Sequence, residues 1–242
     1  MNDILKSLHN RKSVRVFEDR EIPSSVKREI LLAAMAAPSA GNQQLYTILD
    51  ITDQAIKGRL AVTCDNQPFI AKAPMVLIFL ADCQKWYDAY KAFSCSPRLP
   101  GVGDLLLAVS DCCIAAQNAV TAAESFGIGS CYIGDIMERC EEHRELLSLP
   151  PYVFPAAMLV FGCPTPQQKA RKKPERCALQ DIVHENAYRR TDPAAFPEMF
   201  KKHSGNQEFG EWINAFCARK YNSDFAKEMT RSVAEYLKQF QT

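Results

Sequence analysis

The sequence carries almost no excess charge: 29 Lys and Arg stand against 28 Asp and Glu, a formal net charge of +1. Such a balance argues against a nucleic-acid-binding protein, which gathers basic residues on one face. The most basic run, KARKKPER from Lys169 to Arg176, is short and interrupted by Pro174. Paired metal ligands are also missing. No two of the ten cysteines have CxxC spacing, and the four histidines (His9, His143, His184, His203) lack the close partners of a zinc site. Neither GxxxxGK[ST] nor GxSxG occurs, and Ser110 and Asp111 have no obvious histidine to complete a hydrolase triad. The opening MNDILKSLHNRK has no apolar core of signal-peptide length. The longest apolar stretch, Ala73 to Ala81, is too short for a bilayer. Scattered thiols in such a chain read as reduced, mostly buried cysteines of a cytoplasmic protein that engages neither membrane nor nucleic acid.

What is present is an ordinary globular composition, 47% hydrophobic over 242 residues, enough for one large domain or two small ones. A short helix over 3–9, capped by Asn2 or Asp3, precedes an extended stretch. A second helix follows Ser24 or Ser25 as cap and stops at Pro38, with Ile30, Ala33, Ala34 and Ala37 at helical spacing. Strands are predicted over 45–52, 75–82 and 156–164, the last two as continuous apolar runs belonging to the middle of a sheet. The longest helix, 104–127, is apolar nearly all round, so it is buried in the protein or against a partner subunit. Glu141, Glu142 and His143 are placed on a solvated helix face. Charges and prolines dominate from Pro164 to His203, and a final helix covers 223–240. No internal repeat or low-complexity segment interrupts this order. It amounts to an α+β core over about 1–165, followed by a charged extension over about 166–242.

Candidate chemistry lies in the loops. In RKSVRVF (Arg11 to Phe17), extended backbone projects Arg11, Ser13 and Arg15 from one side, and Lys12, Val14 and Val16 from the other. Two guanidinium forks and a hydroxyl suit a phosphate ester, although an exposed basic strand would look the same. DNQPF (Asp65 to Phe69) and PSAGN (Pro38 to Asn42) bring amides and a hydroxyl that both donate and accept, as the mixed edge of a pyrimidine-like ring requires. Lys169 and Arg171 add a second cationic pair. GIGSCYIG (Gly127 to Gly134) has its third glycine misplaced for a dinucleotide fingerprint and follows a helix rather than a strand.

Together, RKSVRVF, APSAGNQQ, NQPFIAKAPMVLIF, GIGSCYIGDI, VFGCPTPQQKARKKPE and IVHENAYRR, in this order from Arg11 to Arg190, make the chain resemble the FMN-dependent nitroreductases, in particular the larger NAD(P)H:flavin and nitro reductases with a C-terminal extension. The resemblance implies a single domain over 1–242. Its fold would be α+β, a mixed, mainly antiparallel central sheet wrapped by helices, in an intertwined homodimer with two FMN sites at the subunit interface. It matches Arg11 and Ser13, with the intervening Lys12, to a phosphate site completed by Lys169 and Arg171, and Arg15 to a cation near the ribityl chain and the flavin N1 edge. Four extended residues cover roughly 13 Å, so Arg11 and Arg15 can serve opposite ends of one flavin. Ser39, Asn42 and Gln67 match flavin-ring contacts; Tyr132, Ile133, Gly134 and Asp135 match the segment beside the ring. Many relatives carry glycine where this chain has Asp135. The implied activity is hydride transfer from NADH or NADPH, through flavin N5, to a small nitroaromatic or quinone acceptor, with ping-pong kinetics and no catalytic side chain or metal. Alternatives of the same fold are an ene-reductase or reductive dehalogenase, with residues 83–104 as a substrate lid, and a non-catalytic FMN-binding or redox-sensing protein.

Overall fold

The structure, a computed structural model, describes residues 1–240. They form two compact units: residues 1–171 together with those from Glu228 on, and Lys172–Lys227.

The first unit is built on a four-stranded sheet in the order β1 (Tyr46–Asp50), β2 (Met75–Asp82), β4 (Val153–Gly162), β3 (Gly129–Ile133), every neighbouring pair antiparallel. β2 and β4 occupy the middle, and every residue in both is buried. That double-sided burial is why these two strands are continuous apolar runs in the sequence rather than alternating ones. The β2–β4 register shifts between Phe79 and Leu80, a bulge opposite the stretch containing Pro155, where β4 has no N–H to donate. The one parallel pairing among the described residues is an isolated bridge, Ser13 to Ser130.

Helices wrap the sheet. α1 (Asp3–Asn10) is capped by Asn2, whose Oδ1 accepts from Leu5 N–H at 2.9 Å. α2 (Ser24–Met35) begins after Pro23 with no side-chain cap, so the expected serine cap is not made. Ser24 and Ser25 lie within the first turn instead. α3 (Gln54–Thr63) has Asp53 as its cap, and the short α4 (Phe69–Lys72) leads into β2. α5 (Gln84–Ala92) precedes α6 (Val102–Ser125), which crosses β2 and β4 with α2 against it. Alanine and cysteine at 108, 112, 115, 116, 119 and 123 give α6 a flat, fully buried face that allows this close approach. With 24 residues and a mean hydropathy of 1.5, α6 is long and apolar enough to cross a membrane by length and composition. Its buried face shows the other use of such a sequence, the central helix of a folded core.

α7 (Cys140–Leu146) carries a correction. His143 is completely buried rather than solvated: Nδ1 pairs with the Ile136 carbonyl at 2.9 Å and Nε2 with Thr63 Oγ1 at 2.8 Å. Burial lowers its pKa, so the ring is held neutral as a structural tie between α3 and α7. α8 (Pro166–Ala170) follows β4 and is capped by Thr165.

The second unit contains α9 (Leu179–Ile182), α10 (Phe196–Met199), α11 (Lys201–Ser204) and α12 (Phe209–Lys220). Phe200, Trp212 and Phe216 stack in series there, with centroid separations of 6.2 and 5.2 Å. α13 (Asp224–Leu237) starts at the end of this unit, and its residues from Glu228 on belong to the first. There Ser232 Oγ accepts from Cys140 N–H at 2.9 Å and donates to the Met137 carbonyl at 2.7 Å. Tyr236 meets Phe154 edge-on at 5.0 Å.

The extended segment after α1 lies against two glycines. A Cβ at Gly129 would fall 2.5 Å from Val14 Cγ2; one at Gly162 would fall 2.6 Å from the Phe17 ring. Only glycine lets residues 13–18 lie flat across the ends of β3 and β4, where Val14 N–H bonds Ser130 O and Glu18 N–H bonds Cys163 O. Gly162→Ala should therefore cost about 1–3 kcal/mol of stability, as overpacking does, read as a lower urea midpoint. An unchanged midpoint would show that the segment does not pack here.

Candidate functional site

The flat path of residues 11–17 decides where its charges go. Val14 is buried on one side, which turns Arg11 and Ser13 to the other. The Arg11 guanidinium stacks over the Tyr132 ring at 5.6 Å, a geometry worth about 0.5–2 kcal/mol. Its Nε and Nη2 are buried and have no hydrogen-bond partner. A buried, unpaired guanidinium edge is costly, on the order of 1–3 kcal/mol or more. It marks a place where an anion is expected. The nearby Glu124 is itself held above the usual carboxylate range by burial, with Arg11 and Lys12 pulling it back.

Lys12 and Arg171 knit this segment to the chain after β4. Lys12 Nζ donates to the carbonyls of Lys169, at 2.6 Å, and of Arg171, while Arg171 Nη2 donates to the Ser13 carbonyl. Lys169 reaches Glu18 at 3.5 Å, and Arg15 N–H approaches Gln168 Oε1 at 3.4 Å, with the Arg15 side chain exposed. Residues 11–13 and 169–171 thus meet in one cationic corner, in which Lys12 and Arg171 spend bonds on backbone carbonyls and Lys169 on Glu18.

The same strand carries the site onward. Tyr132, under Arg11, is half-buried. Ile133 points into the core, so it can offer a ligand only its backbone, and Gly134 is exposed at the start of the 3-10 turn Gly134–Met137. Asp135, on that turn, accepts from Gln67 Nε2 at 3.1 Å, and the same amide nitrogen donates to the Cys64 carbonyl at 2.8 Å. Asp65 and Asn66, just before Gln67, have φ of 60° and 50°. Left-handed backbone at consecutive non-glycine residues is strained and concentrates at functional loops.

Ser39 and Asn42 occupy a separate loop with the same strain: φ is 56° at Gly41, 55° at Asn42 and 50° at Gln44. Ser39 Oγ accepts from Gln44 N–H at 3.0 Å. The loop is anchored on α6 through Asp111, whose oxygens accept from the N–H groups of Ala40 (3.0 Å) and Leu45 (3.2 Å), and not on the arginine corner. Asp111, in the sequence a candidate only for a hydrolase triad, is a positioning residue. Its signal was available: a lone carboxylate inside an otherwise apolar buried helix requires partners. Residues 83–104 lie beside this loop. Trp86 Nε1 donates to the Gln43 carbonyl at 2.8 Å, and Arg98 grips Asp104 through two bonds of 2.5 and 2.9 Å. Between them lies a cavity of about 290 Å³ walled by Trp86, Tyr87 and Tyr90.

The family model for the nitroreductase family matches residues 8–163. The chain belongs to the nitroreductase family. Among curated members, it is 29% identical over 238 residues to an FMN reductase [NAD(P)H] of Bacillus subtilis, covering 98% of this chain and 91% of that one. It is 33% identical to the oxygen-insensitive NADPH nitroreductase of Salmonella typhimurium, over 79% and 77% of the two chains. Among solved structures, NfrA2 of B. megaterium superposes with a TM-score of 0.82 at 26% identity, covering 98% of each chain. The antiparallel sheet, the helical wrapping and the α+β class expected from the sequence are those of the family.

Glu138 ends the 3-10 turn Gly134–Met137. It is buried, its Oε1 has no partner, and its pKa is raised to about 7, first by burial and then by Asp135, Asp65 and Glu228, with Arg139 opposing. A carboxyl whose folded pKa lies above its unfolded value stabilises the fold fully at pH below about 4.5, and that contribution is lost as pH rises through about 7. Glu138→Gln, which cannot ionise, should gain roughly 1–3 kcal/mol on wild type between pH 4.5 and 8. Parallel stability profiles of the two proteins in urea would contradict this.

Proposed function

We propose that this chain is an FMN-dependent oxidoreductase that moves hydride from NADH or NADPH to small nitroaromatic or quinone-type acceptors. The observation that carries the reading is the buried, unpartnered edge of Arg11 in the cationic corner with Lys12, Ser13, Lys169 and Arg171. The chemistry of that donor set fits a terminal phosphate dianion. It therefore fits FMN, with Arg11 and Arg171 in the strongest roles and Lys12 bracing the turn that carries Arg171. In this reading Tyr132 to Asp135 and Gln67 line the ring, and Arg15 supplies a cation beside it. Ser39 and Asn42 contribute from the loop that Asp111 holds.

When bound, the flavin supplies the electron storage that lets hydride donor and acceptor react in turn. The chain's own residues bind, orient and shield. Arg11 and its neighbours would hold the phosphate, the loops around Gln67 and Asn42 would present amides at fixed angles, and Trp86, Tyr87 and Tyr90 would give the adjoining cavity an aromatic wall. No described side chain is required as acid or base. Burial pushes the thiols of Cys64 and Cys83 up to about 12. Such thiols stay protonated and are unsuited to redox sensing.

We also read the protein as a homodimer, with 1–242 acting as one functional domain. Leu106, Leu107 and Ile114 of α6 and Leu32 and Met35 of α2 are each at least 40% exposed, an apolar surface that a partner subunit would cover. Sedimentation at micromolar concentration should give a dimer. A monomer that keeps its flavin would contradict it.

The activity test is NAD(P)H oxidation by the purified protein against a panel of nitroaromatics and quinones. Parallel double-reciprocal lines are expected, and no turnover with any acceptor would overturn the reading. Arg11→Ala removes charge-assisted bonds worth about 1.5–3 kcal/mol, so FMN binding should weaken tenfold to a hundredfold. Unchanged affinity in the Arg11→Ala, Arg171→Ala double variant would refute the phosphate assignment.

A further inference from the structure

The Gln67 amide has two N–H donors and one carbonyl acceptor, and which end faces a ligand depends on what holds the other. Here both neighbours of Nε2 can only accept. One is the Cys64 backbone carbonyl at 2.8 Å, the other the Asp135 carboxylate at 3.1 Å. Turning the amide over would set its carbonyl oxygen against two acceptor oxygens, with both contacts repulsive. The network therefore determines the orientation, as it must wherever nitrogen and oxygen are to be told apart. The Cys64 contact alone is a local bond within the turn that starts after α3. Asp135 comes from a different element and uses the second N–H.

We infer that Asp135 is a positioning residue: it locks Gln67 as an acceptor-only group, so that Oε1 selects a ligand N–H. This rests on the proposed FMN site. In the oxidised isoalloxazine most polar atoms are acceptors and one ring nitrogen carries hydrogen, so an acceptor-only amide can match the ring in few registers. A freely turning amide could match several.

The surroundings make it hard to explain Asp135 as a casual surface carboxylate. It is half-buried beside Glu138, and Asp65 and Glu228 also crowd Glu138. Another negative charge there raises the cost of every neighbouring carboxylate unless it makes a specific bond. The bond to Gln67 is that interaction.

The test is a double-variant cycle on the full-length protein, with FMN affinity read by fluorescence titration and the visible absorption bands of bound FMN recorded alongside. Asp135→Ala should weaken FMN binding about fivefold to tenfold, because Gln67 is then no longer held in one orientation. Asp135→Asn, whose amide oxygen can still accept from Gln67, should stay within about twofold of wild type. In a Gln67→Ala background, Asp135→Ala should add nothing. The absorption bands should shift alike in Asp135→Ala and Gln67→Ala, and hardly in Asp135→Asn. Additive losses in the double variant, or Asn as damaging as Ala, would overturn the inference while wild type still binds FMN. A wild type that binds no FMN would instead bring down the functional reading, and this inference with it.

Discussion

A guanidinium edge buried without a partner is unfavourable in isolation, and much of this molecule serves to keep Arg11 in that state. Its position is set by the extended segment that follows it, which lies across the strand ends because Gly129 and Gly162 offer no Cβ to Val14 and Phe17. Tyr132 supports the guanidinium from below, and the bonds of Lys12 and Arg171 tie the segment to the chain after β4. Each tie holds backbone or ring, and none satisfies Arg11 Nε or Nη2. The energetic deficit is local and is offset by packing elsewhere, the usual arrangement at a preorganised binding site.

The same logic recurs at the other end of the site. The loops of Asn42 and Gln67 both hold non-glycine residues at positive φ, and both are over-determined by bonds from outside the loop: Asp111 for the first, Asp135 for the second. Two carboxylates on different elements thus set the angles at which amides are presented. The second of them has a cost at Glu138, whose pKa is raised first by burial and then by Asp135.

Much of the fold was legible in the sequence. β2 and β4 are apolar without alternation because they are covered on both faces, and α6, apolar nearly all round, was expected to be buried and turns an alanine and cysteine face to the sheet. Val14 is a core residue, as alternation along the segment implies, while Val16 on the same side stays exposed. What failed had one tertiary cause and one local one. His143 sits among charges in the sequence, yet Thr63, eighty positions away, decides its burial. Pro23 at the start of α2 took the place of a serine cap. Nor does any local pattern pair Gln67 with Asp135, or Asp111 with residues 40–45. Those contacts exist only once the sheet has brought the elements together.

The claim on which the rest depends is that Arg11 and its neighbours await a phosphate. It is tested most directly by comparing the affinity of the purified protein for FMN and for riboflavin, which differ only in that group. Two or more charge-assisted bonds of about 1.5–3 kcal/mol each predict FMN tighter by at least a hundredfold. Equal affinity for the two would contradict the account.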